Sequence, residues 1–375
     1  MQLPGALQGL VVGLPFYALP APEAPYLLLN ILSFAVLCLL AWYCAKRVPE
    51  IPAWLSWWWL MTAPWTLDYS TQVLNLSYVL PGSILFFVSA LETYPALSKH
   101  LVPLKWANFS MGLALFWVMQ FHMSWVLLLP YTLASFYFQY RSAGKKSLIS
   151  GLYFALGAAL MSIFLIPTFL KYGVAEGLGG INSTISFSPA NLTKFLAIPV
   201  RFLAFASYII FDARFMGRDM AEGIALLKAQ LWLLPFAIFL SIVGILQIVA
   251  MIALWFTKMD AHKDWPAIKR IALFTVCLVY VSFLFSIRRP FINTFYVTLP
   301  IAMIYSFYCW SRSLQRRGWQ IFAIVFLACG TIFHAGLAAY NFSHRSLYMD
   351  RGILQSAIEH KDYRILGERR PGSRY

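Results

Sequence analysis

Along most of the chain, long apolar runs alternate with short polar connections that are mostly basic. Neither the period-two alternation of a half-buried strand nor the one-sided apolar stripe of a soluble helix is sustained, so the pattern is that of helices apolar on nearly every side. The hydrocarbon core of a bilayer takes about 20 apolar residues as helix. The windows that meet this or fall just short are 26–45, 51–67, 76–92, 106–121, 124–140, 148–170, 231–256, 271–287, 293–310 and 319–340. Two pairs, 51–67/76–92 and 106–121/124–140, read either as two short tilted spans or as one re-entrant hairpin, the turn at His122-Met123 being very tight. The expected fold class is all-α, a polytopic integral membrane protein of about ten transmembrane helices with a long outer loop and a polar C-terminal tail. The expected divisions are an outer-face interfacial segment 1–25, six helices over 26–170, an outer loop with an interfacial helix over 171–230, four helices over 231–340, and an outer tail 341–375.

Composition agrees. The chain is 61% hydrophobic and 11% charged, with a mean hydropathy of +0.69, against about 45–50% apolar and about 25% charged in a soluble domain. A soluble enzyme and a disordered chain are both excluded. The five cysteines stand singly in apolar runs, which is no disulfide framework. A net charge of +15 would raise nucleic acid as a partner for a soluble protein; here membrane lipid is the expected partner and nucleic acid is not, because the basic residues sort by position along the windows.

If every window crosses, the connections 46–50, 93–105, 141–147, 257–270 and 311–318 share one side. They hold 14 of the 29 basic residues, from Lys46 and Arg47 to Arg316 and Arg317, while the short connections opposite hold only Arg288 and Arg289. The positive-inside rule then puts the first set in the cytoplasm and both termini outside, the expected location being a bacterial cytoplasmic (inner) membrane. Residues 1–25 carry no Lys or Arg and one acid, Glu23, and PGALQGLVVGLPFY reads as the end of an interfacial helix whose preceding span is missing.

Candidate chemistry collects on the outer side. No P-loop, HExxH, CxxC, GxSxG or GxGxxG occurs, so no metal site or nucleotide cofactor is expected. The 60-residue segment 171–230 is long for an idle connection. Within it, the apolar run 195–211 is expected along the interface with Arg201 snorkelling or meeting an anion, and FDARFMGRDMAE brings Arg214 and Arg218, which pair with nearby acids on a solvated helix or face substrate. In SIRRPFINTFYVTLP, Arg288 and Arg289 place two guanidiniums, whose planar fork suits phosphate, against the charge trend; plain head-group contact is the alternative. His122, at the outer turn, is a structural imidazole or a catalytic one, and Asp68 in PWTLDYSTQ is a base or a loop acid capping a turn.

This order of features resembles the GT-C glycosyltransferases that use polyprenyl-phosphate sugars, of the protein mannosyltransferase and aminoarabinose transferase type. The stretches that carry it are PGALQGLVVGLPFY, the paired short spans with PWTLDYSTQ between them, GLALFWVMQFHMSWVLLLP, a long outer loop after the sixth span, and RRPFINTFYVTLP. The resemblance implies a sugar transferred at the outer face from a polyprenyl-phosphate-linked donor. It implies a carrier-phosphate role for Arg288 or Arg289, with Asn293 standing where a His is common and Tyr296 just before the Leu-Pro that opens a span. The family's carboxylate pair, the expected base for the acceptor, would lie in an outer loop after an initial span, and this sequence has neither. A polymerase or ligase of lipid-linked glycans is the second expectation. A multi-spanning transporter or flippase is the third; the sequence shows no central Asp, Glu, Lys or Arg in the windows and no two-fold repeat.

Overall fold

The computed structural model describes residues 7–172, 187–194, 196–210, 220–257, 262–285, 295–344, 356 and 359. All regular elements among them are helices. In chain order they are α1 (Leu7–Gly13), α2 (Pro15–Ala18), α3 (Ala24–Arg47), α4 (Ala53–Thr62), α5 (Pro64–Thr71), α6 (Val79–Glu92), α7 (Leu104–Phe121), α8 (Leu129–Ala143), α9 (Ser147–Ser162), α10 (Ile166–Tyr172), α11 (Ala197–Ala204), α12 (Met220–Ala229), α13 (Leu234–Trp255), α14 (Trp265–Leu284), α15 (Leu299–Trp310) and α16 (Arg317–His344), joined in places by single 3-10 turns.

Five helical runs among the described residues are long and apolar enough to cross a membrane: Ala24–Arg47, Met123–Leu165, Leu231–Trp255, Trp265–Leu284 and Arg317–Tyr340. Their outward faces carry Leu133, Leu148, Leu246, Val249 and Val325, each at least half exposed. Contiguous apolar surface of that kind suits lipid and not water. The run Met123–Leu165 bends back on itself at Gly144, which takes φ 55°. Phe136 of α8 and Phe154 of α9, on either side of that bend, meet at 5.2 Å.

Small residues decide how closely helices approach, because lipid gives apolar faces little reason to associate by hydrophobicity alone. At the crossing of α7 and α9, a Cβ on Gly157 would lie 2.0 Å from the Phe109 carbonyl oxygen and one on Gly112 2.1 Å from the Phe154 carbonyl oxygen. The two backbones therefore touch. Near one end of this contact Asn108 Nδ2 donates to Gln139 Oε1 at 3.1 Å and Gln139 Nε2 donates back to Asn108 Oδ1 at 3.0 Å, tying α8 to α7.

Proline divides the next segment. Pro64 pushes Ala63 into extended backbone (ψ 137°), so α4 stops and α5 restarts at a new angle. The Leu60 carbonyl, which Pro64 has no N–H to meet, is taken up locally: the Thr66 hydroxyl donates to it at 2.6 Å and shares the bond with Ala63 O at 2.8 Å. The apolar window 51–67 thus contains a broken helix, and the second piece carries on to Thr71.

The run expected along the interface is exposed at its start, at Leu196 and Val200, and enters the bundle at its end. Ile198, Phe202 and Leu203 of α11 are buried, and Phe205, Ala206, Ser207, Tyr208 and Ile210 after it are fully enclosed. A non-helical backbone is tolerated there because its polar groups find partners. Tyr208 N donates to Gln247 Oε1 of α13 at 2.9 Å, and Gly244, where a Cβ would sit 2.5 Å from Ile209 N, lets this non-helical segment lie against that helix.

Gly157→Val should therefore force α7 and α9 apart and lower stability by about 2 kcal/mol or more. The check is the thermal unfolding midpoint of the purified protein in detergent, where an unchanged midpoint would contradict the close contact.

Candidate functional site

Polar side chains gather at both ends of the bundle and between them. At one end, α5 carries Trp65, Asp68 and Tyr69, and the 3-10 turn Tyr296–Thr298 leads into α15. The Tyr69 and Tyr296 rings are 3.8 Å apart, Trp65 stacks on Tyr69 at 6.2 Å, and Phe205 abuts Trp65 at 5.5 Å and Tyr296 at 5.9 Å. Asp68 is 1% exposed. Its Oδ1 accepts from Gln72 Nε2 at 2.7 Å, one helical turn on, and the residue belongs to helix α5 and not to a loop. Asp68 and Tyr69 both act electrostatically on the Tyr296 phenol. That phenol oxygen and Trp65 Nε1 are buried with no hydrogen-bond partner among the described residues.

Two of the candidate residues, Asp68 and Tyr296, thus come together from segments more than 200 positions apart. His122 belongs to the same end, since the turn Met123–Leu128 that follows it packs on Tyr296–Thr298. His122 Nδ1 accepts from Ser124 N at 3.1 Å and lies 2.8 Å from Ser124 Oγ, which caps that turn. This is the structural role of an N-cap. Arg201 lies on α11, half-buried, one turn before Phe205. Arg214, Arg218, Arg288, Arg289 and Asn293 lie outside the described residues. The chain around Arg288, Arg289 and Asn293 is flanked on one side by Leu284, whose carbonyl accepts from Ser188 N at 2.8 Å, and on the other by buried Phe295.

At the opposite end stands a cluster that the sequence reading does not single out. Arg47, the last residue of α3, reaches Glu92 at the end of α6 (Nη2 to Oε1, 2.5 Å) and Asp264 just before α14 (Nη1 to Oδ2, 3.4 Å). Each carboxylate also accepts from a backbone turn: Glu92 Oε2 takes Leu101 N at 2.5 Å and Val102 N at 3.0 Å, and Asp264 Oδ1 takes Ser98 N at 2.7 Å. Tyr308 OH of α15 donates to Asp264 Oδ2 at 3.3 Å, and the guanidinium lies 5.1 Å from the centre of the Tyr43 ring. His262 Nε2 and Glu50 Oε2 are 3.7 Å apart beside it. In the sequence Arg47 and Glu92 fall at or just beyond the ends of apolar windows, and Asp264 lies in the middle of the connection 257–270, which charge parity puts on the same side, so nothing local sets the three apart.

Between the ends lies a third group. The Thr62 and Tyr208 hydroxyls are hydrogen-bonded to each other, Trp58 Nε1 donates to Thr331 Oγ1 at 2.9 Å, and His334 of α16 lies against Tyr208 with ring centres 6.5 Å apart. His334 is an ionisable side chain inside an apolar window, the kind of residue that marks a functional position in a membrane segment. A lone imidazole in the 22 residues of window 319–340 is the signal that points to it.

No family model, curated protein or solved structure matches the chain.

Burial lowers the His122 imidazole from its ordinary 6.5 to about 4, and protonating Nδ1 would also remove the acceptor that caps the turn. A depressed folded-state value means the unfolded chain binds the proton first, so stability is complete above about pH 6.5 and falls as pH drops toward 4. The unfolding midpoint should therefore decline over that window, and His122→Asn, which keeps a cap acceptor without a titrating ring, should flatten the decline. Identical pH profiles for both proteins would refute the role.

Proposed function

We propose that the chain is a membrane glycosyltransferase, or a part of one, that transfers a sugar from a polyprenyl-phosphate carrier at the outer face. The observation that carries this reading is the enclosed carboxylate of Asp68 among Trp65, Tyr69 and Tyr296, eight residues or fewer in sequence from Arg288, Arg289 and Asn293 on the chain that leads into Tyr296. In the proposed step the acceptor hydroxyl oxygen forms a bond to the sugar's anomeric carbon, the bond from that carbon to the carrier phosphate oxygen breaks, and the acceptor proton passes to Asp68. The arginines hold the departing phosphate. Asp68 here takes the place of the missing carboxylate pair as general base. Tyr296 has to move off Tyr69 to admit substrate, which makes the closed aromatic stack the resting form.

The proposed orientation has about ten crossings, the Arg47 end in the cytoplasm, and the Asp68 end and both termini outside, in a bacterial inner membrane. It is supported by the way the ends sort. The C-terminal ends of α3, α6 and α15 and the start of α14 converge on Arg47 and Asp264, whereas the end of α5, the turn after α7 and the start of α15 converge on Tyr296. Alternating crossings produce that sorting.

A transporter is the second reading, and the group of buried Tyr208 and Gln247 with half-buried Thr62 and His334 beside a broken helix favours it. One set of variants separates the two. Under the transferase reading Asp68→Asn reduces transfer from a polyprenyl-phosphate sugar by about 100-fold or more, and Arg288→Ala or Arg289→Ala weakens binding of a polyprenyl phosphate by about 1.5–3 kcal/mol. Under the transporter reading His334→Gln abolishes uptake and Asp68→Asn does not. Wild-type transfer by folded Asp68→Asn, or unchanged carrier binding in both arginine variants, would overturn the transferase assignment.

A further inference from the structure

The helices α6, α8 and α14 do not close against one another over their whole length. Near the Arg47 end they leave a lateral groove of about 330 Å³. Its back wall is Phe87 and Leu91 of α6 with Ile301 of α15 behind, and its sides are Ala134 and Phe138 of α8 and Phe274 of α14. Phe274 is 40% exposed and forms the lip toward the surrounding medium. One limit of the groove is the hydrogen bond between Tyr131 OH and Thr275 Oγ1, which draws α8 and α14 together. Another is the edge-on contact of Tyr94 with Phe138 at 5.3 Å.

Charge distinguishes this groove from an ordinary gap between apolar helices. Arg270 lines it, exposed, and spends only its Nε on a bond to Pro266 O at 3.2 Å, so both terminal nitrogens have no partner among the described residues. On the facing helix Arg141 is also exposed and stands three residues beyond Phe138, on the same face. One guanidinium lining an apolar slot among membrane helices, with a second exposed one a turn beyond the slot on the facing helix, presents a tail site and an anion site side by side, and the planar fork of arginine matches a phosphate. Basic pockets of this form between membrane helices take anionic lipid head groups.

We propose that this groove binds one anionic glycerophospholipid, with an acyl chain along Phe87, Leu91, Ala134 and Phe274 and its phosphate on Arg270, flanked by Arg141. The site is separate from the Asp68 end and does not depend on the proposed transfer reaction.

The test is native mass spectrometry of the purified full chain in detergent, offered phosphatidylglycerol and phosphatidylcholine with the same acyl chains. Wild type should retain phosphatidylglycerol in preference. Arg270→Ala, a change at an exposed position, should reduce that preference about tenfold, the loss of one charge-assisted bond. Ala134→Trp, which fills the groove, should reduce retention of both lipids, and a wild-type unfolding midpoint shows that the fold is intact. Equal retention of the two lipids by wild type, an unchanged preference in Arg270→Ala, or unchanged retention in folded Ala134→Trp would each overturn the site. Displacement of the phospholipid by an equimolar polyprenyl phosphate would reassign the groove to a different lipid and overturn the stated occupant.

Discussion

One guanidinium holds one end of this bundle together. Arg47 bridges two carboxylates, Glu92 at the end of α6 and Asp264 just before α14, that are almost wholly out of solvent. Burying an ion is costly unless its charge is met and its remaining hydrogen-bonding capacity is filled, and removing one partner from such a group leaves an uncompensated charge. Here the capacity of the carboxylates is filled by the chain itself, since the oxygens not turned to Arg47 accept the backbone amides of Ser98, Leu101 and Val102, while Arg47 Nε is buried with no partner among the described residues. The same three side chains thus fix where α3 and α6 end, where α14 begins and how the connection between α6 and α7 is folded. Tyr308 adds α15 to the assembly. With that end clamped, the positions of the helices at the other end follow from glycine contacts and from the broken segment α4 and α5.

The hydrophobic pattern makes the helices legible, and the reason is physical: in a bilayer every backbone group must be satisfied within its own segment, so an apolar run of sufficient length has one outcome. The window 26–45 corresponds to Ala24–Arg47, 231–256 to the run Leu231–Trp255, and 319–340 falls within Arg317–His344. Composition does not show where an apolar run stops being a helix. Pro64 stands in plain view in the window 51–67, yet only the Thr66 hydroxyl bonds explain how the break is tolerated. The run 195–211 looks like an amphipathic surface helix because its phenylalanines recur at helical spacing; its second half is enclosed instead, since Gln247 and Gly244 on a distant helix receive its backbone.

Candidate residues are legible in kind more than in company. Asp68 and Tyr296 stand out in the sequence for separate reasons, and their meeting depends on a tertiary arrangement that neither local sequence encodes. His122 reads as structural or catalytic, and its ring nitrogen caps the turn that follows it. The Arg47 cluster is hidden in the sequence because charges at the ends of apolar windows are the normal way for a membrane helix to stop. Only their mutual burial sets these three apart.

The measurement that tests the central role of Arg47 most directly is a stability comparison of Arg47→Met, the double variant Glu92→Gln with Asp264→Asn, and the triple variant. Arg47→Met leaves two buried carboxylates unpaired and should cost about 3–5 kcal/mol. The amide side chains of the double variant are neutral and can still accept the backbone amides of Leu101, Val102 and Ser98, so adding the two carboxylate changes to Arg47→Met should restore part of that loss. A triple variant more stable than Arg47→Met is the predicted result. If the losses simply add, or if Arg47→Met unfolds at the wild-type midpoint, the guanidinium does not hold the helix ends together.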